Sequence, residues 1–262
     1  MHRDSDKAVE ICRKAGQLAL DYFRNRDDLE IETKGPQDWV TEADRNVELL
    51  IRDELARAWP DDGIVGEEHA AAVGNSGYRW VIDPIDGTAN FVSGIPVWCV
   101  VLAGVAEGRT QLGVIHDPIH DETFVATRGG GATVNGKQMH VAKDDPIDAG
   151  TISIGFSNRA EARNTVPVID DLLAAGAKFH RNASGAITLA YVAAGRLLGY
   201  MEEHMNAWDC LAGQLLIHEA GGRIEDQDAD GMIDRGGRVI AGAPQVFAQL
   251  QDIASARWTA PD

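Results

Sequence analysis

The sequence predicts a layered fold that mixes α-helices with β-strands in one structural unit. Of its 262 residues, 44% are apolar, and a chain of this length and composition can bury a large core. Segments in which apolar residues recur with helical spacing alternate with short apolar segments typical of strands. No internal repeat or low-complexity linker separates them. We therefore expect a single domain over residues 1–262, with two closely joined lobes that divide near residue 145.

The first part of the chain predicts two helices joined through a strand and a loop. Apolar residues recur with helical spacing over residues 5–23, and residues 29–33 alternate as a strand does. A loop follows from residue 34 and leads to Thr41, which forms a capping-box pattern with Asp44. The second helix continues until Pro60 stops it. Asp44 is therefore expected in the first turn of a helix.

The rest of the chain predicts a meander of strands, and then helices that alternate with strands. Short apolar segments at residues 64–65 and 80–82 each lead directly into acidic residues. Asn135 and Gly136 are a typical hairpin signal. The further strands are expected at residues 98–105, 111–115, 122–126, 151–154, 197–201 and 239–240. The further helices are expected at residues 166–175, 187–194 and 207–220, and after Pro244.

Charge and composition exclude several classes of function. The formal net charge is −17 and no block of basic residues interrupts it, which disfavours nucleic-acid backbones and anionic membranes as partners. No apolar run reaches the roughly 18 residues of a membrane span, and no signal-peptide core is present. The cysteines, Cys12, Cys99 and Cys210, are widely spaced and suggest buried thiols in a reducing compartment. We expect a cytoplasmic protein that binds neither nucleic acid nor membrane.

Three acidic segments stand at the boundaries of predicted elements, at residues 66–68, 83–88 and 208–209. Carboxylates at the ends of strands are typical of the active sites of α/β proteins. Mg²⁺ prefers hard oxygen ligands and keeps several waters, so a few convergent carboxylates suffice to bind it. Asp83 and Asp86 are separated by a rigid Pro-Ile step and can face one small volume. These segments predict a magnesium site.

The backbone around the central acidic segment adds an anion site to this prediction. The carbonyl of Ile85 can face the same volume as the two aspartates. If a helix begins after Gly87, the N–H groups of Gly87 and Thr88 lie at its positive end, where phosphate binds readily. Two metal ions would position a water and neutralise phosphoryl oxygens. The alternative, in which the acidic residues only cap helices and hydrate turns, has to account for three such boundaries together.

These motifs resemble the inositol monophosphatase family, within the wider group of magnesium-dependent, lithium-sensitive phosphatases. The main match is residues 80–91, and residues 208–222 form a second signature. Supporting matches lie at residues 40–44 and 66–68 and at the hairpin of Asn135 and Gly136. The resemblance covers nearly the whole chain.

The resemblance implies a role for individual residues, with Asp83 shared between two metal ions. The implied ligands for two or three Mg²⁺ ions are Glu67, Asp83, Asp86, Asp209 and the carbonyl of Ile85. The implied catalytic residues, which activate the attacking water, are Asp44, Thr88 and Glu67. The implied substrate contacts are Asp86, Gly87, Thr88, Ser157, Gly185, Glu202 and Asp209.

The resemblance also implies an αβαβα sandwich like that of fructose-1,6-bisphosphatase, a homodimer, and hydrolysis of a small phosphate monoester, with myo-inositol monophosphate as the first candidate. Residues 180–185 and 203–206 depart from the family pattern on the substrate side. Histidinol phosphate, fructose 1,6-bisphosphate and phosphoadenosine phosphate therefore remain open as substrates. A more remote alternative is a non-catalytic module that binds a metal or a partner.

Three other patterns do not predict sites. Residues 226–231 match the first half of a calcium-binding loop, but the twelfth position is Gly237 where glutamate is needed. We expect a solvated turn between two strands there. His116 and His120 have the spacing of a zinc motif, but a proline between them breaks the helix that the motif needs. Residues 129–131 lack the helix and lysine of a phosphate-binding loop, and we expect a hairpin.

Overall fold

The computed structural model describes the protein over residues 3–28, 31–35, 38–143, 145–157 and 160–258. Within these residues the helices are α1 (Ser5–Arg24), α2 (Glu42–Ala58), α3 (Thr88–Val92), α4 (Ala162–Ala174), α5 (Gly185–Ala193), α6 (Ala207–Glu219), α7 (Ala229–Arg235) and α8 (Pro244–Arg257). The strands are β1 (Ile31–Gly35), β2 (Asp38–Thr41), β3 (Gly63–Gly66), β4 (Tyr78–Asp86), β5 (Cys99–Ala106), β6 (Arg109–Asp117), β7 (Glu122–Thr127), β8 (Gly131–Val134), β9 (Lys137–Gln138), β10 (Thr151–Ile154), β11 (Lys178–His180), β12 (Gly199–Met205), β13 (Arg223–Ile224) and β14 (Gly237–Gly242).

A seven-stranded sheet is the larger of the two main sheets, and its strands follow chain order from β3 to β9. β3 and β4 are parallel, and every later pair is antiparallel, which confirms the predicted meander. The register between β4 and β5 shifts between Asp83 and Asp86. Because side chains in a regular strand alternate between faces, this irregularity is what frees the end of β4 to aim both aspartates.

The second main sheet has five strands in the order β11-β10-β12-β14-β13. β10 pairs in parallel with β11 and β12, whereas β14 is antiparallel to both of its neighbours. The pairing of β12 with β14 shifts register between Glu202 and Met205. The chain passes from one sheet to the other between residues 138 and 151. One core cluster includes buried residues of both sheets. Our division into two lobes near residue 145 stays a prediction.

Helices and sheets stack in five layers, which confirms the expected αβαβα sandwich. α1 and α2 cover the outer face of the seven-stranded sheet, α5 and α6 lie between the two sheets, and α4 and α8 cover the outer face of the five-stranded sheet. β5 shows how the layers arise, because its eight residues are all buried. Val100 and Leu102 face the core under α1 and α2, whereas Val101 and Ala103 face the core between the sheets.

The composition of α6 accounts for its central position. Between Cys210 and Ile217 every residue is buried, and a helix that is apolar on all sides is stable only where neighbours cover all of it. Gly113 on β6 permits the contact with the sheet, because a Cβ there would lie 2.9 Å from both the Cα and the carbonyl oxygen of Ala212. The helix that carries Asp209 therefore packs directly on the backbone of the sheet.

The structure contains two strands that were not predicted, β11 and β13, and it differs from the predicted elements at three further places. Lys34 was expected to open a loop, but β1 continues to Gly35 and pairs with β2. Residues 226–231 were expected to form a turn, but α7 begins within them because the Asp228 carboxylate accepts a hydrogen bond of 2.8 Å from the Gly231 N–H. α4 begins four residues before the predicted start at Val166, since Pro167 lies inside the helix and not at its first turn.

The cysteines and the helices fit the expectations from composition. Cys12, Cys99 and Cys210 are buried and form no disulfide. Burial raises the pKa of the Cys12 thiol above its usual value, and the same holds for Cys99 and Cys210. None of the helices in the described parts of the chain has an apolar stretch long enough to cross a bilayer.

Gly113→Ala is expected to lower the free energy of unfolding by about 1–3 kcal/mol, because the added methyl group meets backbone atoms of α6 that no rotamer can move aside. Urea unfolding followed by circular dichroism measures this. Gly231→Ala is the matched control, because the new methyl group in α7 meets only the ends of two side chains, those of Arg235 at 3.2 Å and Asp228 at 3.4 Å, and no backbone atom. It should be neutral or stabilising by up to about 1 kcal/mol. Equal losses in the two variants would contradict the proposed contact.

Candidate active site

The turn that joins β4 to α3 brings two aspartates together. The Asp83 carboxylate accepts a hydrogen bond of 3.0 Å from the N–H of Ile85, and the Ile85 side chain is fully buried beneath the turn. Gly87 follows with φ of 99°, and a Cβ at this position would lie 3.0 Å from the Val97 carbonyl oxygen. This left-handed conformation suits glycine. It turns the chain from the strand into α3, so that Thr88 is the first residue of the helix.

A third carboxylate joins the two from a distant part of the chain. Carboxylate oxygens of Asp83, Asp86 and Asp209 all lie within 4.8 Å of one another. Asp209 lies in the first turn of α6, where its carboxylate also accepts a hydrogen bond of 3.2 Å from the N–H of Asn206. The structure thus places three of the predicted ligands in one cluster.

The cluster is electrostatically unfavourable by itself. Burial raises the pKa of Asp83 well above its usual range, and the charges of Glu67, Asp86 and Asp209 raise it further. Neither Asp83 nor Asp86 forms an ion pair with a basic side chain of the described residues. Buried carboxylates of like charge need a compensating cation. The donor set consists of hard oxygen atoms, and it therefore fits Mg²⁺.

Asp86 is held by groups that the acidic motif does not contain. Burial raises its pKa, and hydrogen bonds from the Ser184 hydroxyl and from the N–H groups of Ala186 and Gly185 oppose this effect. The distance from the Ala186 nitrogen to the Asp86 carboxylate is 2.9 Å. The Cys99 sulfur lies 3.7 Å from the same oxygen. The beginning of α5 therefore fixes one oxygen of Asp86.

Glu67 and Ile85 stand beside the cluster. Glu67 follows β3, which runs parallel to β4, so it leaves the sheet at the same end as Asp83. Its charge raises the pKa of Asp83, although it is not part of the group within 4.8 Å. The carbonyl of Ile85 accepts a hydrogen bond of 3.0 Å from the Thr88 hydroxyl.

Asp44 and Thr88 are in direct contact across the site. The Thr88 hydroxyl lies 3.2 Å from an Asp44 carboxylate oxygen. The other Asp44 oxygen accepts hydrogen bonds from the N–H and hydroxyl of Thr41, at 2.8 and 2.6 Å, in the predicted capping box. Burial raises the pKa of Asp44 to about 6, against the opposing effect of the bonds from Thr41. The α2 capping box thus holds Asp44 beside Thr88.

A cavity of about 140 Å³ opens beside Asp86 and Asp209. Its walls combine polar and apolar residues. The polar lining includes Ser153, Arg181, Asn182, Thr188, Tyr200 and Glu202, and the apolar lining includes Ile154, Phe156 and Met205. The cavity has the size and the mixture of hydrogen-bonding groups of a site for a small polar molecule.

Two of the three predicted contacts to the alcohol lie in this cavity. Gly185 and Glu202 line it, whereas Ser157 does not, although its hydroxyl is buried and has no hydrogen-bond partner among the described residues. Glu202 accepts a hydrogen bond from the Tyr200 hydroxyl. Burial raises the pKa of Glu202 to about 8.

The sequence analysis missed Ser184 and Tyr200, which hold Asp86 and Glu202. Tyr200 is two residues before Glu202, so both side chains lie on one face of β12. This spacing was a signal that sequence alone offered. Ser184 had no such signal, because it is 98 residues away from Asp86.

Comparison with known proteins identifies the family. The model of the inositol monophosphatase family matches residues 2–261. The chain belongs to this family. One curated relative, the protein named Nus factor SuhB of Salmonella typhimurium strain LT2, is 37% identical to this chain over 253 residues, which cover 95% of each chain. The Nus factor SuhB of Escherichia coli K12 is 36% identical with the same coverage.

Solved structures support the assignment to the inositol monophosphatase family. The extragenic suppressor protein suhB from Bartonella henselae superimposes with a TM-score of 0.90 at 33% identity, covering 95% of this chain and 97% of that one. The IMPase from Thermotoga maritima superimposes with a TM-score of 0.85 at 30% identity, covering 96% of both chains. The layered architecture is therefore that of the family.

Glu202→Gln is expected to weaken the pH dependence of stability in EDTA. In the folded protein Glu202 keeps its proton to about pH 8, whereas the unfolded chain releases it near 4.5. Between these values the folded state binds more protons, so wild-type stability falls as the pH rises. Glutamine keeps the acceptor for Tyr200 and removes this contribution. Urea unfolding at pH 5.5, 7 and 8.5 measures the slope, and the exposed Glu10→Gln serves as control. Parallel slopes for wild type and Glu202→Gln would refute the effect.

Proposed function

We propose that this protein is a magnesium-dependent phosphatase that hydrolyses a small phosphate monoester, with myo-inositol monophosphate as the first candidate substrate. The observation that carries the proposal is the cluster of Asp83, Asp86 and Asp209, which adjoins both the Asp44–Thr88 contact and a small polar cavity. A metal site, a proton acceptor and a space for an alcohol are thereby adjacent. Hydrolysis of a phosphate monoester requires all three.

The residues that would hold Mg²⁺ are Asp83, Asp86 and Asp209, with Glu67 and the Ile85 carbonyl at the margin of the cluster. The family generally uses this ion. When bound, it supplies a Lewis acid that polarises phosphoryl oxygens and favours ionisation of water. Two or three ions remain part of the proposal. A cation at this site also reverses the local charge of a protein whose net charge is −17, so that an anionic substrate can approach.

The residues of the chain itself would bind phosphate and accept a proton. The N–H groups of Gly87 and Thr88 lie at the start of α3, where backbone dipoles favour an anion. The Thr88 hydroxyl contacts Asp44 and can pass a proton to it from a water. With a pKa of about 6, Asp44 is mostly ionised at neutral pH and able to accept that proton. Glu67 is proposed to assist, as a neighbour of Asp83.

The cavity favours a compact polyol as the alcohol. The cavity is small, about 140 Å³, and its carboxylate, hydroxyl and amide groups suit an alcohol with several hydroxyl groups. Glu202, whose pKa is about 8, is protonated at pH 7 and can exchange hydrogen bonds with hydroxyl groups. Gly185 allows close approach on the neighbouring wall. Ser157 stays a proposed contact that lies outside the cavity lining. Histidinol phosphate and fructose 1,6-bisphosphate are the nearest alternatives.

Asp83→Asn is expected to lower phosphate release by more than about a hundredfold, because even residues that only support a metal ligand contribute about 10–100-fold. The Mg²⁺-induced rise in melting temperature should disappear, since stabilisation by a ligand depends on binding to the folded state. The melting temperature in EDTA should be equal or higher, because one of the clustered charges is removed. Asp53→Asn, on an exposed pair with Arg57, is the control. Full magnesium-dependent activity in Asp83→Asn would overturn the metal site.

A phosphate-release screen tests the substrate. We expect hydrolysis of myo-inositol 1-phosphate to exceed that of histidinol phosphate, fructose 1,6-bisphosphate and phosphoadenosine phosphate, and EDTA to abolish it. Inositol fits the compact cavity, whereas the alternatives add a charge or a larger group. Preference for another ester would retain the metal chemistry and correct the substrate. No release from any ester would favour the non-catalytic module.

The relatives named Nus factor SuhB favour a second candidate function, a role as a Nus factor, at 36–37% identity over most of the chain. We propose a protein partner and not nucleic acid for such a role, because the net charge of −17 opposes contact with phosphate backbones. Asp83→Asn separates the two functions, because it should leave partner binding intact. Homodimer assembly and lithium sensitivity stay predictions from the family resemblance, and cytoplasmic location stays a prediction from the composition of the sequence.

A further inference from the structure

Helix α2 carries a second acidic residue, Glu48, one turn after Asp44. Its side chain is completely buried. One carboxylate oxygen accepts a hydrogen bond of 2.7 Å from the N–H of Glu68, and the other accepts a hydrogen bond of 3.2 Å from the N–H of His69. Arg52, one turn further along the same helix, donates to Glu48 at 2.6 Å and to the His69 carbonyl at 3.0 Å. The side chains of Glu48 and Arg52 thus hold the loop after β3 through hydrogen bonds to three of its backbone groups, two N–H groups and one carbonyl.

The same loop carries Glu67. On its other side, Gly66 packs directly on the Glu48 carboxylate, because a Cβ at Gly66 would lie 2.1 Å from a Glu48 oxygen. Contacts to Glu48 therefore flank Glu67 in the sequence, at Gly66 before it and at Glu68 after it. The freedom of the Glu67 backbone is therefore reduced from both directions, in a loop close enough to Asp83 for the Glu67 charge to raise the pKa of that carboxyl.

A buried ion pair is a costly way to stabilise a loop. Replacing such pairs with apolar side chains is often neutral or stabilising, so Glu48 and Arg52 need another reason for their position. The orientation of metal ligands is such a reason, because the partners of ligating carboxylates set the geometry and affinity of a site. The contacts of Glu48 end on the backbone beside Glu67, as this role requires.

We propose that Glu48 and Arg52 are positioning residues, which hold the Glu67 loop so that Glu67 is preorganised for the metal cluster. Because Asp44 and Glu48 lie on one face of α2, at a spacing of one turn, the helix also sets the distance between the proton acceptor and the Glu67 side of the site. This inference rests on the proposed metal-dependent function.

The test is Glu48→Gln, which keeps the volume and one acceptor oxygen but loses the second acceptor and the charge opposite Arg52. We expect the Mg²⁺ concentration at half-maximal activity, and the Mg²⁺ dissociation constant measured by calorimetry, to rise about tenfold or more. The kcat at saturating Mg²⁺ should stay within about threefold, because Glu48 does not touch the substrate cavity. Glu54→Gln, on the same helix and paired with Lys14, should match wild type.

A purely structural role for Glu48 would lower the melting temperature in EDTA and leave the Mg²⁺ constants unchanged. Unchanged constants, within about twofold, would overturn the inference. If Glu48→Gln does not fold, Arg52→Lys decides the question, because it keeps the charge and loses the bond to His69. The same rise in both Mg²⁺ constants is expected, and unchanged constants overturn the inference.

The wild-type protein separates the two proposals. Magnesium-dependent hydrolysis in wild type, with wild-type Mg²⁺ constants in both Glu48→Gln and Arg52→Lys, would refute the positioning role alone. A wild type that neither binds nor requires Mg²⁺ would refute the proposed function and the positioning role together.

Discussion

Mutual repulsion among clustered carboxylates, two of them buried and the third partly buried, is the constraint on which the rest of the site depends. Asp83, Asp86 and Asp209 are brought within 4.8 Å of one another, although burial and the neighbouring charges oppose ionisation of Asp83. A flexible scaffold would relieve such repulsion by moving the side chains into water. This scaffold does not move freely, because Asp83 and Asp86 end a buried strand and Asp209 begins a buried helix. The carboxylates are therefore held in positions in which a bound cation would relieve their repulsion.

Helix N-termini offset part of the repulsion. Asp44, Asp209 and the bonds to Asp86 lie at the first turns of α2, α6 and α5, and α3 begins at Thr88. The N–H groups of a first turn lack partners within their helix and carry partial positive charge. Four helices of the described chain thus direct their positive ends at one region. This arrangement explains how a protein with a net charge of −17 keeps several carboxylates together, and it supports the phosphate site that we propose.

Contacts between residues that are close in the sequence could be predicted, whereas contacts between residues far apart in the sequence could not. The turn that ends β4 is local, so the pairing of Asp83 with Asp86 and the start of α3 followed from residue order. The capping box of Thr41 and Asp44 was readable for the same reason. The bond from Ser184 to Asp86 spans 98 residues and requires the packing of α5 between the sheets. A single sequence does not contain that packing in any local pattern.

The acidic cluster and the cavity are built largely from different parts of the fold, which explains why the proposed substrate is harder to infer than the proposed chemistry. Asp83, Asp86 and the Glu67 loop belong to the seven-stranded sheet, whereas Glu202 and Ser153 of the cavity belong to the five-stranded sheet. The pairing of β12 with β14 shifts register between Glu202 and Met205, two residues of the cavity lining. Changes in the residues that line the cavity can therefore alter its shape while the cluster of Asp83, Asp86 and Asp209 stays the same. The local motif at the end of β4 then supports the proposed reaction, whereas the proposed ester depends on lining residues that come from β10, β12, α5 and the loop before α5.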